Sequence, residues 1–180
     1  MNNLKGRRVV LRPINDDDYS LVYKWWHLDF EQVYLWWDER RLFTYEEFVE
    51  DIHKRLRYFF FTFFIICYFS DNEGEIPVGF TYTSRYNAVD RYLYGTIYLS
   101  KEYTSMGLGT EAGLIHLRYL ASTFNIRKVY VEIYSYNTPS LKAAKKAGLQ
   151  EEGRLKAHRW FNNQFWDLII MAFYLEDLAK

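Results

Sequence analysis

The chain has 180 residues, 49% of them hydrophobic, and its 23 basic side chains balance its 23 acidic side chains. This length suits one hydrophobic core, so we predict a single domain over residues 1–180. The zero formal charge argues against a nucleic-acid partner, because nonspecific binding to phosphates needs an excess of positive charge.

The only cysteine, Cys67, lies inside an apolar run, so we expect no disulfides and a cytoplasmic location. Residues 1–6 lack an apolar segment, so no signal peptide is expected. The apolar run itself, residues 58–69 (YFFFTFFIICYF), is too short for a membrane-spanning helix, which needs about 20 residues. We therefore predict a strand buried on both faces, and no membrane partner.

The first half of the chain predicts two helices set between strands. Asn15 and the three aspartates after it can cap the first helix, and Thr44 with Glu47 forms a capping box for the second. The predicted elements are a strand over residues 7–13, helices over 19–27 and 44–57, and strands over 58–69 and 77–85.

A strand over residues 92–100 then leads into a helix start punctuated by Gly107 and Gly109. Helix starts carry unpaired N–H groups and a positive dipole end, so they bind phosphate. Glycine allows a phosphate to approach the backbone closely. By itself this pattern is a weak signal, and it favours an ordinary strand-to-helix turn.

A second strand-to-helix turn follows. Residues 128–134 (KVYVEIY) predict a strand, Thr138 and Pro139 open a helix, and Gly148 ends it. Two further strands, over residues 154–161 and 165–175, are predicted around an Asn-Asn turn. Two successive strands therefore each end at a polar helix entrance.

The two turns resemble those of the GNAT superfamily of N-acetyltransferases. In that family a Gln/Arg-x-x-Gly-x-Gly/Ala loop follows strand four, and an Asn-x-x-Ser/Ala…Gly-Phe segment follows strand five. The matching segments here are Thr104-Ser-Met-Gly107-Leu-Gly109 and Asn137-Thr-Pro-Ser140…Gly148-Leu149. Thr104 replaces a long donor, and Leu149 replaces the usual Phe in a packing role.

The order of the predicted elements also matches the family over nearly the whole chain. The last third, with Glu152-Gly153-Arg154, resembles the ribosomal-protein-alanine and spermidine N-acetyltransferase-like branch. The resemblance implies an α/β (α+β) GNAT fold, a mixed and mostly antiparallel twisted sheet of about seven strands with flanking helices. It also implies that acetyl-CoA binds at the splay between strands four and five.

The implied activity is transfer of an acetyl group from acetyl-CoA to a primary amine, on a protein N-terminus or a small polyamine, by direct attack in a ternary complex. No metal is expected. The resemblance assigns cosubstrate binding to the strand backbone at Ile97, Tyr98 and Leu99, to the loop Thr104, Ser105, Met106, Gly107, Leu108, Gly109 and Thr110, and to Asn137 and Ser140.

The general acid is less well defined. Many family members use a Tyr seven residues after the Asn, but Ala144 stands there. In the ribosomal-protein branch the Ser three residues after the Asn has this role, so we predict Ser140 as the acid. A plain helix cap is the alternative for Ser140, and Tyr134 and Tyr136 are further candidates.

The general base is equally open. That branch can use a Glu on the strand after Glu-Gly, but the matching residue here is Arg159. A histidine side chain can accept a proton near neutral pH, so the neighbouring His158 is our predicted base, with a structural role as the alternative.

Charge and aromatic residues are unevenly distributed. Residues 29–51 hold eight acidic and two basic side chains, and residues 127–159 hold eight basic and three acidic ones. The basic part suits the phosphates of CoA and the acidic part suits a cationic acceptor, although two solvated helix faces explain both equally well. Adjacent tryptophans cannot both face one core on a regular helix, so we expect a pocket or interface role for part of the pairs Trp25–Trp26 and Trp36–Trp37.

Two other classes of function remain open at this point: an acyl-CoA-binding module with weak or no catalysis, and an aromatic-rich partner-binding domain. A homodimer is one assembly that the sequence allows.

Overall fold

The protein is described by a computed structural model over residues 4–29, 43–70 and 74–179. Seven strands form one sheet in the order β1-β2-β3-β4-β5-β7-β6. Neighbouring strands are antiparallel except β4 and β5, which are parallel. The predicted mixed, mostly antiparallel sheet is therefore confirmed. The strands are β1 Val9–Pro13, β2 Phe63–Ser70, β3 Gly74–Asn87, β4 Tyr92–Leu99, β5 Lys128–Tyr134, β6 Gln150–Phe161 and β7 Gln164–Tyr174.

Helices cover both faces of this sheet. They are α1 Tyr19–Tyr23, continued by a π-helical turn over Lys24–Leu28, α2 Tyr45–Leu56, α3 Leu108–Thr123 and α4 Thr138–Lys146. The predicted capping box is confirmed: Thr44 Oγ1 accepts from the Glu47 N–H at 3.2 Å, and Glu47 Oε2 accepts from the Thr44 N–H at 2.9 Å.

The predicted strand over residues 58–69 is correct only in its second part. Phe63 to Cys67 are buried on both faces, as expected, but Tyr58 and Phe59 are 71% and 77% exposed. These residues form the turn after α2, in which the Phe61 N–H donates to the Tyr58 carbonyl at 2.9 Å. A run of apolar residues does not show where a turn ends and a buried strand begins.

The tryptophan pair in the first helical segment is a second correction. Trp25 and Trp26 are both buried, 7% and 4% exposed, and both rings contact Phe80, at centroid distances of 6.5 and 5.1 Å. The π-helical turn over Lys24–Leu28 winds more residues per turn than an α-helix, so successive side chains diverge less. Neither ring is therefore left for a pocket.

On the opposite face, His116 of α3 is buried among threonines. Its Nδ1 lies 2.9 Å from Thr81 Oγ1 and its Nε2 lies 2.9 Å from Thr62 Oγ1. Because Thr81 Oγ1 donates to the Thr96 carbonyl, it must accept from His116, which assigns the tautomer protonated at Nδ1. Burial lowers the pKa of His116 to about 3. The neutral ring thus links α3 to β3 and to the residue preceding β2.

Within residues 4–29, 43–70 and 74–179, no helix is both long and apolar enough to cross a membrane.

Candidate active site

The two parallel strands separate partway along their length. Strands β4 and β5 pair over only three residues each, ending at Tyr94 opposite Tyr130. Beyond this point β4 continues to pair with β3, and β5 continues to pair with β7. Along residues 95–99, one edge of β4 therefore has no strand beside it among the described residues. An extended ligand with amide groups can hydrogen-bond to such an edge.

The side chains of this free segment alternate between the faces of the sheet. Ile97 and Leu99 point towards α3, where Gly113 and Gly109 leave room for them: a β-carbon would lie 3.0 Å from Ile97 Cδ1 and 3.3 Å from Leu99 Cδ1 respectively. Tyr98 points to the other face and is 3% exposed. The backbone is thus the part of these three residues that borders the gap between the strands.

The loop before α3 is bent by two residues in the left-handed conformation. Ser105 has φ 64° and Gly107 has φ 80°. Gly107 is the N-cap of α3, where a side chain would strain the backbone. The first intrahelical bond is donated by Glu111 to the Gly107 carbonyl, so the N–H groups of the first helical turn have no acceptor within the helix.

A cleft of about 540 Å³ lies against this loop and carries four basic side chains, Arg7, Arg8, Arg118 and Lys146. Arg8 is held to the loop because its Nη2 donates to the Met106 carbonyl at 3.0 Å. Positive side chains next to a helix N-terminus form an anion site. The residues present therefore fit the phosphate groups of CoA.

The three arginines of this cleft were not recognised from the sequence. Arg7 and Arg8 are adjacent, but Arg118 and the loop lie far from them along the chain, and the Arg8 backbone N–H donates to Glu111 Oε1 at 2.7 Å. This bond joins residues that are 103 positions apart. No local pattern could have indicated it.

At the start of α4, Asn137 is the N-cap, and its Oδ1 accepts from the Ser140 N–H at 3.3 Å. The alternative in which Ser140 caps the helix is therefore wrong, because Ser140 supplies the capped N–H. Ala144, one turn later, packs with Leu149 against buried residues that include Ile133, which confirms the packing role of Leu149. The roles of Asn137 and Ser140 towards the cosubstrate stay predictions.

The other acid and base candidates lie at the far end of β5 and on β6. Tyr134 is 4% exposed, and its ring stacks on Tyr136 at 5.4 Å. The guanidinium of Arg159 lies 4.9 Å from the Tyr134 ring centroid. His158 is exposed, in a β-bulge where Ala157 has φ 49°. The bulge turns the Arg159 side chain towards the interior. The catalytic role of His158 stays a prediction.

Two carboxylates lie near the gap: Asp29, which belongs to the acidic stretch predicted to suit a cationic acceptor, and Glu132, which the sequence analysis missed. Asp29 Oδ2 accepts from the Tyr98 hydroxyl at 2.7 Å, and burial raises the pKa of Tyr98, with the hydrogen bond to Asp29 adding to it. Glu132 of β5 accepts two hydrogen bonds from Arg85, at 3.0 and 2.6 Å. A charged residue inside the apolar run of β5 was the available indication of Glu132.

The acidic part of the sequence divides into separate groups. Glu50 and Asp51 of α2 pair with Lys54 and Arg55 at 2.9 and 2.7 Å, so this part is a solvated helix face. Of the acidic residues in this stretch that the structure describes, Asp29 is the one that bonds to β4. Three further acidic residues and the second tryptophan pair lie outside the described residues: Glu31, Asp38, Glu39, Trp36 and Trp37.

Among the described residues, no group of three or more His, Cys, Asp or Glu side chains is arranged to hold a metal ion.

The sequence profile of the acetyltransferase (GNAT) domain matches residues 8–150 of the chain. The chain belongs to the GNAT acetyltransferase family. The protein is therefore an acetyl-CoA-dependent N-acetyltransferase, and its donor is acetyl-CoA.

Relatives and solved structures agree with this family. Spermidine N(1)-acetyltransferase of Escherichia coli (strain K12) is 28% identical over 174 residues, which cover 92% of this chain and 86% of that protein. Spermidine N-acetyltransferase from Vibrio cholerae, in complex with CoA and spermine, has a TM-score of 0.85 at 17% identity and covers 96% of this chain and 99% of that one. A GNAT-family acetyltransferase from Bacillus anthracis has a TM-score of 0.77 at 21% identity, covering 96% of this chain and 98% of that one. The solved structures confirm the predicted GNAT fold, and the Escherichia coli relative is a spermidine acetyltransferase, one of the two activities named in the predicted branch.

Proposed function

We propose that this GNAT enzyme acetylates a primary amino group of a polyamine at the gap between β4 and β5. The observation that carries the proposal is that the Asp29 carboxylate is held beside the free segment of β4, on the face of the sheet that carries Tyr94 and Tyr98. Asp29 is bonded to Tyr98, and Glu132 is joined through Arg85 to Tyr94, whose ring lies 3.6 Å from the guanidinium. Tyr94 and Tyr98 are four residues apart on one strand and so share a face.

Because Arg85 neutralises Glu132, the Asp29 carboxylate is the group that favours a cationic acceptor on this face, such as a flexible polyamine. The names of the relatives support this substrate class, since the Escherichia coli and Vibrio cholerae proteins are spermidine acetyltransferases. A folded protein presenting its N-terminus would bring only one ammonium group to this face.

Different groups of the chain bind the different parts of acetyl-CoA. We assign the phosphates of CoA to the N–H groups at the start of α3, within the loop over residues 104–110, and to Arg7, Arg8 and Arg118. We assign the amide-bearing arm to the free backbone edge at residues 97–99, with Asn137 beside it. Acetyl-CoA supplies the acetyl group as an activated thioester. Such an extended, anchored arrangement fixes the reacting group at one place along β4.

Proton transfer requires two groups. An aliphatic amine with a pKa near about 10.4 is charged at neutral pH, so it must lose a proton before it attacks. We propose that this proton passes to water and then to an exposed base, for which His158 is our candidate. Ser140 is our candidate to protonate the departing thiolate: its hydroxyl would donate a proton to the sulfur and take up one from water, while its backbone N–H is capped by Asn137.

We also propose a homodimer, in the cytoplasm, as the form in which the enzyme works. Support for the dimer comes from Trp160 and Phe165, which pack at 4.9 Å at the β6–β7 turn and are 48% and 62% exposed. Sedimentation of the wild type and of Phe165→Lys tests it. A dimer that the substitution converts to monomer is expected, and a monomeric wild type contradicts it.

The substrate is tested by thiol release from acetyl-CoA with a panel of amines: spermine, spermidine, a short diamine and a peptide with a free N-terminus. We expect the highest kcat/KM for the polyamines. Asp29→Asn should raise the polyamine KM and leave the acetyl-CoA KM unchanged, because the amide still accepts from Tyr98 but carries no charge. Turnover of the peptide alone would contradict the proposal.

A further inference from the structure

We propose that the Arg85–Glu132 ion pair is a clamp that sets the separation of β4 and β5, and with it the width of the acetyl-CoA site. The inference rests on the proposed placement of acetyl-CoA in this gap. It makes Arg85 and Glu132 positioning residues for cosubstrate binding.

The clamp crosses a whole strand. Arg85 belongs to β3 and Glu132 to β5, and β4 runs between them. Arg85 Nη1 and Nη2 donate to the two carboxylate oxygens at 3.0 and 2.6 Å, which is the bidentate geometry that fixes both direction and distance. Between β3 and β5, the Arg85 guanidinium lies 3.6 Å from the ring centroid of Tyr94 in β4. Three strands are therefore joined by one side chain.

The backbone of β3 is distorted at this residue. The register between β3 and β4 shifts between Ser84 and Asn87, and Arg85 has φ 48°. A non-glycine residue in the left-handed region is strained. A bulge re-aims a side chain, and this one directs Arg85 across β4. The strained backbone of Arg85 is therefore at the residue whose side chain forms the ion pair.

The position of Glu132 determines how the ion pair affects the separation of β4 and β5. The ladder between β4 and β5 ends at Tyr94 opposite Tyr130, and Glu132 is two residues further along β5. Its backbone is held from the other side, because Glu132 pairs with Ile170 of β7. Arg85 therefore links β5 to β3 through Glu132. Glu132 is the first residue of β5 beyond the β4–β5 pairing whose side chain lies on the same face of the sheet as that of Tyr130. Without this tie, only three residue pairs hold the two strands together at the start of the gap.

A second role for Glu132 makes a different prediction. If its carboxylate bound the acceptor amine directly, Arg85 would compete with the substrate for it. Removing Arg85 would then lower the amine KM, whereas removing the charge of Glu132 would raise it. A clamp predicts that the loss of either partner has the same effect, and that this effect is on CoA binding.

The test is calorimetric titration of CoA into the wild type, Arg85→Gln, Glu132→Gln and the double variant, together with amine KM values. We expect each single variant to weaken CoA binding about threefold to fivefold, as suits a half-exposed ion pair. The double variant should be no weaker than the singles, because one interaction is lost in all three. Amine KM values should stay unchanged.

Arg154→Gln is the matched control. Arg154 forms a cross-strand pair with Asp167 at 3.1 Å between β6 and β7, away from the gap, so CoA affinity should be that of the wild type. If Arg85→Gln fails to fold, Arg85→Lys keeps the charge without the bidentate geometry and should show a smaller loss. Unchanged CoA affinity, or opposite shifts of the amine KM in the two single variants, would overturn the clamp. A wild type that binds no CoA would overturn the proposed function itself.

Discussion

The hydroxyl of Tyr98 donates a hydrogen bond of 2.7 Å to Asp29 Oδ2, which joins β4 to the residue that ends the π-helical turn. Tyr98 is buried beneath Trp25, with ring centroids 5.8 Å apart. Burial, followed by the bond to Asp29, raises the pKa of Tyr98, so the hydroxyl keeps its proton and remains a donor at neutral pH. The carboxylate is thereby held beside the free segment of β4.

Tyr98→Phe removes this bond without changing the shape of the ring. The Asp29 carboxylate then loses its fixed direction, and the polyamine KM should rise about threefold to tenfold, since such a bond contributes about 1 kcal/mol. The acetyl-CoA KM should stay the same. Tyr92→Phe, on the same strand before the gap, is the control. Equal increases in both KM values for Tyr98→Phe would show that the hydroxyl supports the whole strand.

The buried His116 predicts a loss of stability in mild acid. Its pKa in the folded protein is about 3, below the unfolded value near 6.5, so the unfolded chain takes up the proton first as the pH falls. The stabilising contribution is complete well above pH 6.5 and is lost progressively down to pH 3, by on the order of 5 kcal/mol.

Urea unfolding between pH 7 and pH 4 measures this effect. The slope of unfolding free energy against pH should decrease in His116→Gln, whereas His158→Gln, at an exposed position, should keep the wild-type slope. A His116→Gln variant with the full wild-type slope would assign the acid sensitivity to other groups.

Gly107→Glu tests the loop at the start of α3. Gly107 has φ 80°, so any side chain strains the backbone, and a carboxylate there would repel the phosphates of CoA. We expect CoA affinity to fall at least about tenfold, equivalent to about 1.4 kcal/mol.

Gly74→Glu is a matched control, because Gly74 has φ 75° and a β-carbon there meets nothing within 4 Å. Both variants should lose similar stability on thermal unfolding, and only Gly107→Glu should lose CoA affinity in a calorimetric titration. Unchanged CoA binding in Gly107→Glu would remove the loop from the cosubstrate site.

Ser140→Ala tests the proposed general acid. Removing the hydroxyl should lower kcat about tenfold to a hundredfold with little change in acetyl-CoA KM. Since Asn137 caps α4, the melting temperature should not change. Ser122→Ala, which removes a helical hydroxyl bonded to the Tyr119 carbonyl at 3.0 Å, is the control. A normal kcat in Ser140→Ala would transfer the role to Tyr134, Tyr136 or solvent.

Local sequence determined the features that depend on neighbouring residues. The capping box at Thr44 and Glu47, the glycine at the start of α3 and the Asn-Thr-Pro opening of α4 were all predicted, because caps and helix starts form from bonds between residues three or four apart. The order of strands and helices followed from hydrophobic periodicity in the same way. These features were sufficient to indicate the family.

Tertiary structure alone decided which distant side chains meet. Arg8 joins the loop before α3, Arg85 reaches Glu132, and Trp25 and Trp26 share Phe80, although each of these contacts joins residues far apart in the chain. The physical reason is that strand pairing and register bring such residues together. A bulge at Arg85 or a π-helical turn at Trp25 then redirects the side chains in ways that no periodic pattern encodes.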